Sequence, residues 1–415
     1  MDSRRLLHNQ LMNLDQRMHH ADRSSRWHAY AMIAPLGLFV ILSFIIPLGM
    51  ILLNSIYDPV IPDGLSHTVT ELRVWDGPRD QLPPETVYAA LAQDIKKAAQ
   101  EQHIGSIANR LNIEQSGLHA VFMKTSRVVT DQDDGPWAPV FETADPAWSQ
   151  PAIWGTIRNL SSPVHSLFFL SALDLHRRPD GTIAQQPKDQ RIYITIYLRT
   201  LGVALAVTFL CIVLGFPLAY MLAHMRDKTA NLLLILVLIP FWTSLLVRTT
   251  AWTVVLQENG LINSLLQMLG LIAEPLPLIF NRVGVIVAMT HILLPFVILP
   301  VYSVMRQIPA SYVHAARSLG ASPLVAFFHV YLPQCMPGLN AGGLLVFVFS
   351  LGYYITPSLI GGPADQLIAY FVSYNIGSSM NWGLASALAT ILLAAVLLLY
   401  TVYDYLVGHN RLTIR

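Results

Sequence analysis

The chain is short of charge and nearly without cysteine. Charged residues fill 12% of its 415 positions, about half the ~25% usual in soluble domains. Hydrophobic residues fill 53%, and the mean hydropathy is +0.48. Composition of this kind reads as a polytopic membrane protein rather than a soluble one. The two cysteines, Cys211 in an apolar run and Cys335 in a loop, supply no disulfide framework and read as small core-packing residues. The signatures of common chemistries are missing too. No G-x-x-x-x-G-K-[ST] phosphate loop occurs, so ATP hydrolysis by that route is excluded. No H-E-x-x-H, G-x-S-x-G or paired-cysteine metal spacing occurs either, which leaves no catalytic or metal-ligating candidates. The net charge of +1 suggests no nucleic-acid partner.

What is present is segregation. Residues 1–29 form an N-terminal segment carrying Arg4, Arg5, Arg17, Arg23 and Arg26. Residues 30–57 are a first apolar helix, too long for a signal-peptide core and followed by no small-residue cleavage site. The arginine excess places its N-terminus in the cytoplasm. Residues 58–190 are a polar insertion with 17 Asp/Glu against 11 Lys/Arg, expected to fold outside the membrane. Turn clusters punctuate it, at Pro62 to Gly64, Asp133 to Pro136 and Arg178 to Gly181. Helices are expected over 85–100, opened by Pro84 and Glu85, then over 104–111, 113–124 and 147–160. Val87, Leu91 and Ile95 recur at helical spacing, so the insertion reads as a small domain. Residues 191–410 hold five further spans, near 192–223, 230–256, 283–304, 338–359 and 383–406, and 411–415 is a tail. Arg226, Lys228, Arg306, Arg317, Arg411 and Arg415 then all fall on one side, which the positive-inside rule puts in the cytoplasm with both termini. The fold class is all-α, with six transmembrane helices.

A polar loop at 307–337 separates two of these spans. In it Ala315, Ala316 and Leu319 suit a helix, and Gly320 permits a turn at positive φ. Ser322 and Pro323 would begin a second short helix. Leu332–Pro333 and Met336–Pro337 are expected to stop it before the next apolar run. Within the loop His314-Ala315-Ala316, Gly320, Val330 and Leu332-Pro333 keep the spacing of the EAA loop of binding-protein-dependent ABC importer permeases. The chain is identified as resembling that family, of the type I importer fold. The one departure is His314, where the family usually has Glu. The resemblance implies that this loop is the coupling helix, which docks into a groove of a cytoplasmic ATPase. It further implies a second permease subunit, two cytoplasmic ATPase subunits that bind ATP and Mg, and a periplasmic solute-binding protein. This chain itself would need no cofactor, and it would sit in a bacterial inner membrane.

Charges inside the spans are few. Arg199 and Arg248 lie toward helix ends, where snorkelling to the headgroups and a functional role are both open. The stretch Pro240 to Trp252 contains Trp242, Thr243, Arg248, Thr249 and Trp252, an odd set for a helix meeting only lipid. It is similar to P-F-W-T-S-x-L-V-R-T-x-A-W of spermidine/putrescine-type permeases, as are Asn259 to Asn263 and Leu294 to Phe296. The resemblance runs over roughly 190–410. A second cluster, Tyr353, Tyr354 and Thr356 with Gly352 and Pro357, implies local unwinding, which is tolerated only against protein or a wet cavity. For the two tyrosines an interfacial aromatic belt is the competing reading. Polyamine-type permeases are expected to have an acid at the position of Tyr353. Of the acids only Asp404 falls within an assigned span, and His291, alone in the fourth span, is expected to be hydrogen-bonded within the bundle. Aromatic faces could hold an ammonium, and an arginine could hold a carboxylate. The function implied is ATP-driven import of a small amine-containing solute, polyamine-like, with a zwitterionic amino acid derivative or opine as the alternative. An intramembrane enzyme and a secondary transporter are more distant. The insertion would either dock the binding protein, as the large outer domain of the maltose permease does, or act as a stabilising cap.

Overall fold

The computed structural model describes residues 30–75 and 77–408. The arginine-rich 1–29 segment and the 411–415 tail lie outside the described residues. The chain divides into two units, Met1–Asn54 and Ser55–Arg415. In the first, helix α1 runs Tyr30–Asn54, 25 residues, with one π-type turn at Ile41–Ile45. At ~1.5 Å per residue it is about 37 Å long, enough for the ~30 Å apolar layer of a bilayer.

The second unit opens with eight helices: α2 Val60–Gly64, α3 Ser66–Val74, α4 Glu85–Gln100, α5 Ile104–Glu114, α6 Leu118–Thr130, α7 Trp137–Ala144, α8 Pro151–Asn159 and α9 Leu167–Ala172. Gly117, at φ +95°, separates α5 from α6. The helix expected over 147–160 is instead a 3-10 turn, Pro146–Ser149, followed by α8. Pro151 at the first turn of α8 lacks the N–H that a continuous helix would need. Val87, Leu91 and Ile95 are fully buried in a core shared with Tyr88, Phe122, Phe141, Trp148 and Trp154. These rings meet edge-on or tilted, with centroids 4.7 to 5.7 Å apart, the arrangement their quadrupoles favour. The Trp148 indole donates to Thr125 Oγ1 at 2.8 Å, so the deepest ring buries no orphaned donor.

A two-stranded antiparallel hairpin follows, β1 Leu175–Arg177 and β2 Ile183–Gln185, with Leu175 opposite Gln185. Just before it stands Asp174, itself at φ +58°. Its carboxylate accepts the N–H groups of Ile192, Tyr193 and Ile194 at 2.9 to 3.1 Å. Those are orphan donors of the next helix, α10 Tyr193–His224, and a negative charge there suits the helix dipole.

From α10 onward the chain is α11 Asp227–Trp242, α12 Leu245–Val255, α13 Leu261–Met268, α14 Arg282–Leu293, α15 Pro295–Met305, α16 Ala310–Ser318, α17 Pro323–Leu351, α18 Ile355–Ile360, α19 Ile368–Gly377 and α20 Trp382–Gly408. Among the described residues, helices α1, α10, α17 and α20 are long and apolar enough to cross a membrane, and two bent pairs bring the number to six if each pair is one span. The pairs are α11 with α12, bent by 99°, and α14 with α15, bent by 40°. Cys211 and Cys335 are both buried and free, among Val207, Ala288, Val297, Val301 and Val346.

Three sequence expectations need correction. The span expected over 230–256 is broken: Thr243 and Ser244 are extended, and Ser244 caps α12 through Val247 N–H at 3.2 Å. The prolines at 333 and 337 do not end a helix, because α17 runs through both. A π-type turn, Phe327–Tyr331, precedes them, with Leu332 N–H bonding Phe327 O five residues back. That wider turn makes room for a proline ring where the tighter ladder would clash. The fifth span therefore starts near 323 rather than 338, and it ends at Leu351 rather than 359. Close packing also depends on glycine: a Cβ at Gly338 would sit 2.9 Å from Pro300 O, and one at Gly342 would sit 2.9 Å from Val297 Cα. Their absence lets α17 approach the backbone of α15.

Candidate functional site

Two places carry the candidate residues. The first is the turn between α16 and α17. Helix α16 ends in a Schellman motif: Ala321 N–H bonds Ala316 O at 3.1 Å and Gly320 N–H bonds Arg317 O at 3.0 Å. The motif needs a left-handed residue after the helix, and Gly320 supplies it at φ +94°. Ser322 then caps α17, accepting from Val325 N–H, with Pro323 in the first turn. The result is a short helix, a tight turn and the start of a long helix. Of the coupling candidates, His314, Ala315, Gly320 and Pro333 are exposed, while Ala316, Val330 and Leu332 are half-buried. The turn itself carries bare apolar groups: Leu319 is 90% exposed, Leu324 70% and Phe328 56%. Beneath α16 lies a cleft of about 500 Å³ lined by His314, Arg317, Arg306, His224, Tyr220 and Tyr331 among others. Arg306 reaches Asp227 at 2.6 Å across its rim.

The second place is where two broken helices meet. Thr249 of α12 and Thr356 of α18 are both fully buried and share a hydrogen bond at 3.1 Å between hydroxyls. Trp252 donates its indole N–H to His291 Nδ1 of α14 at 3.1 Å. Tyr353 and Tyr354 occupy the unwound link between α17 and α18 and line a cleft of about 340 Å³ with Leu245, Val348, Phe349 and Gly352. Arg248 is half-buried, and its Nε is buried without a hydrogen-bond partner. Trp242 stands apart, 77% exposed at the 99° bend, and Thr243 turns its hydroxyl to Pro240 O at 2.9 Å. The structure thus joins Thr249 with Thr356 and gathers Tyr353 and Tyr354, but it does not bring Trp242 or Thr243 to them. Among the described residues no carboxylate lines this cleft. No group of three or more metal-ligating side chains occurs among the described residues.

His291 has the hydrogen bond within the bundle that the sequence leads one to expect, and its partner, Trp252, is what only packing could identify. One group near these places, the Tyr370 and Tyr374 pair, has no counterpart in the sequence reading. Tyr370 and Tyr374, on α19, continue from Tyr354: ring centroids are 6.2 Å apart for Tyr354–Tyr370 and 6.3 Å for Tyr370–Tyr374. Their signal was a pair of tyrosines four residues apart, in a stretch assigned to no helix. Arg199, for which snorkelling was open, donates to Gln366 O at 3.0 Å, in the same link where Asp365 pairs with Arg282 at 3.2 Å.

Comparison with known proteins gives the following. The family described as "Binding-protein-dependent transport system inner membrane component" matches residues 212–412. The spermidine/putrescine transport system permease protein PotB of Escherichia coli K12 is 35% identical over 212 residues, covering 50% of this chain and 77% of that one. The inner membrane ABC transporter permease protein YdcU of the same organism is 36% identical over 221 residues, covering 49% and 70%. Among solved structures, a bacterial alginate ABC transporter in complex with its alginate pentasaccharide-bound periplasmic protein matches at 15% identity and a TM-score of 0.44, covering 52% of this chain and 78% of that one.

Proposed function

We propose that this chain, which belongs to the binding-protein-dependent transport system inner membrane components, carries a linear polyamine-like amine through the cleft between its two broken helices. It is a permease subunit of an ABC importer, not an enzyme, and a multi-pass membrane protein. Binding and hydrolysis of ATP with Mg fall to partner ATPase subunits. In the full assembly it pairs with a second permease, two cytoplasmic ATPases and a soluble periplasmic binding protein. Both termini and the α16–α17 turn face the cytoplasm, and residues 58–190 face the periplasm. The turn with its bare Leu319, Leu324 and Phe328 presses into the ATPase, and His314 replaces the acidic contact used elsewhere in the family.

The observation that carries the substrate reading is the lining of the 340 Å³ cleft: two tyrosines and apolar groups, with no carboxylate among the described residues. Aromatic faces attract ammonium groups by ~0.5–2 kcal/mol each. A relative at 35% identity that is named for spermidine and putrescine supports the same solute class. One observation favours a second reading. The unpaired Nε of Arg248 suits a carboxylate, and hence a zwitterionic amino acid derivative or opine. The two separate in a single experiment. Uptake of radiolabelled putrescine, spermidine, a basic amino acid and an opine is measured in cells expressing the complete transporter. Polyamine uptake that Arg248→Gln leaves intact supports the first reading. Uptake restricted to carboxylate-bearing amines, and lost in Arg248→Gln, replaces it with the second. Docking of the binding protein by the insertion is tested by deleting 65–185; unchanged affinity and maximal rate would leave the insertion as a cap.

A further inference from the structure

Helix α19 and the link before α18 present three tyrosines in series. Tyr354 and Tyr374 are exposed, at 39% and 48%, and Tyr370 between them is half-buried. Tyr354 and Tyr370 are tilted by 32° with centroids 6.2 Å apart. Tyr370 and Tyr374 are nearly parallel, at 17° and 6.3 Å. Tyr370 is held from the side by Phe371, edge-on at 5.3 Å, and Phe371 by Tyr193 at 6.1 Å. The spacing has a simple origin. Residues four apart on a helix are separated by about 6 Å of rise, so their rings repeat at that interval. Tyr354, from a different segment, extends the series at the same step, and it also lines the cleft that holds Tyr353.

A linear diamine with four methylenes places its charges five single bonds apart, about 6 Å when extended, at the ~1.2 Å per bond of an extended chain. The ring repeat and the charge repeat therefore match. Each ammonium can lie against one ring while the next lies against its neighbour, within the ~6 Å reach of a cation–π contact. No Asp or Glu occurs on Ile368–Gly377, so no single fixed charge would trap the cation. An aromatic belt would set tyrosines at one depth around the molecule; here each ring neighbours the next, and the last of them, Tyr354, lines the cleft.

We propose that Tyr354, Tyr370 and Tyr374 form an aromatic ladder that receives the ammonium groups of a linear four-carbon diamine and hands them along α19 to the cleft at the broken end of α17. This rests on the polyamine reading above. Each rung is exchangeable for the next, so the ladder holds the diamine weakly and releases it inward without a strong site to escape from.

The test uses the assembled transporter in nanodiscs, without its binding protein, and radiolabelled putrescine as probe. Binding of putrescine is compared with 1-aminobutane, which has one charge, and with 1,3-diaminopropane, whose charges are closer. Wild type is expected to bind putrescine several-fold more tightly than either. Tyr370→Leu and Tyr374→Leu are expected to weaken putrescine binding by about 3- to 10-fold each and to erase the preference over 1-aminobutane. Tyr370→Phe and Tyr374→Phe, which keep the ring face, are expected to restore both. Tyr374 is 48% exposed, so its truncation opens no core cavity and guards against a folding artefact. Absence of putrescine binding, equal binding of the monoamine, or unchanged binding in the leucine variants overturns the ladder. Polyamine uptake by the complete wild-type transporter is measured alongside. If uptake is present while the ladder result is negative, the ladder falls and the polyamine reading stands. If uptake is absent, the polyamine reading falls and takes the ladder with it.

Discussion

Replacement of Gly320 isolates the geometry of the α16–α17 turn from its surface. The residue stands at φ +94°, and a Cβ added there would meet nothing within 4 Å. A side chain at 320 therefore costs conformation and not space. Placing an L-residue in the left-handed region costs ~1–2 kcal/mol, which shifts the turn's equilibrium by about 5- to 30-fold. Asn tolerates that region better than Ala, and a β-branched Val worse. The expected order of transport is Gly320, then Gly320→Asn, Gly320→Ala and Gly320→Val. ATP-driven uptake into proteoliposomes is measured against the amount of each variant inserted, which should stay constant. Gly320→Asp is expected to abolish uptake. Asp enters the left-handed region about as readily as Asn, so any excess loss over Asn reports the charge meeting a partner surface. Uptake by Gly320→Val equal to wild type would refute the turn argument. Normal uptake by Gly320→Asp would remove the coupling assignment.

Three further outcomes follow from the packing. Gly342→Leu forces a side chain into the backbone of α15 and should cost about 1–3 kcal/mol, read as a lower unfolding temperature in detergent; an unchanged temperature contradicts the close approach at 2.9 Å. Burial alone would raise the Asp58 carboxyl, but the His165 ring and the Arg110 guanidinium beside it hold it down at about 2 against an ordinary 3.8. Its contribution is present above pH 3.8 and is lost as pH falls through 2. Asp58→Asn should remove roughly 1–2 kcal/mol at neutral pH once solvent screening is allowed for, and wild-type denaturation midpoints at pH 7 in this variant would contradict the pairing. In a double-mutant cycle, Thr249→Val and Thr356→Val should show a coupling of about 0.5–1.5 kcal/mol; additive losses would mean the shared hydrogen bond contributes nothing.

Much of the fold was legible because the determinants are local. Gly320 and Ser322 announce a turn and a cap by residue type, and the observed Schellman motif and N-cap are what those residues do. Val87, Leu91 and Ile95 announced a buried helical face by spacing. The helix breaks were less legible. Pro240 sits three residues before the bend it permits, and a proline-tolerant π-type turn at Phe327–Tyr331 has no residue signature of its own. The second candidate site was half-readable. Thr249 and Thr356 were named separately, 107 residues apart, and only packing brings their hydroxyls to 3.1 Å. Tyr370 and Tyr374 escaped because a tyrosine pair is common in any membrane helix, and for His291 the hydrogen bond was legible but its partner Trp252 was not.

The unbroken course of α17 has a mechanical meaning. From Pro323 to Leu351 it is 29 residues, a rod about 43 Å long. One end carries Leu324 and Val325 of the bare apolar turn, and the other ends at Gly352 and Tyr353. Between them Gly338 and Gly342 let its backbone approach α15 closely, the place where a lever would turn. The arm below that point is about 25 Å and the arm above about 17 Å, so by rigid-lever geometry a push of ~3 Å at the turn would swing the tyrosine end by ~2 Å the opposite way. Such a seesaw needs no relay of side-chain switches between its ends. The π-type turn at Phe327–Tyr331 lies in the long arm, and its stiffness would set how much of each stroke arrives.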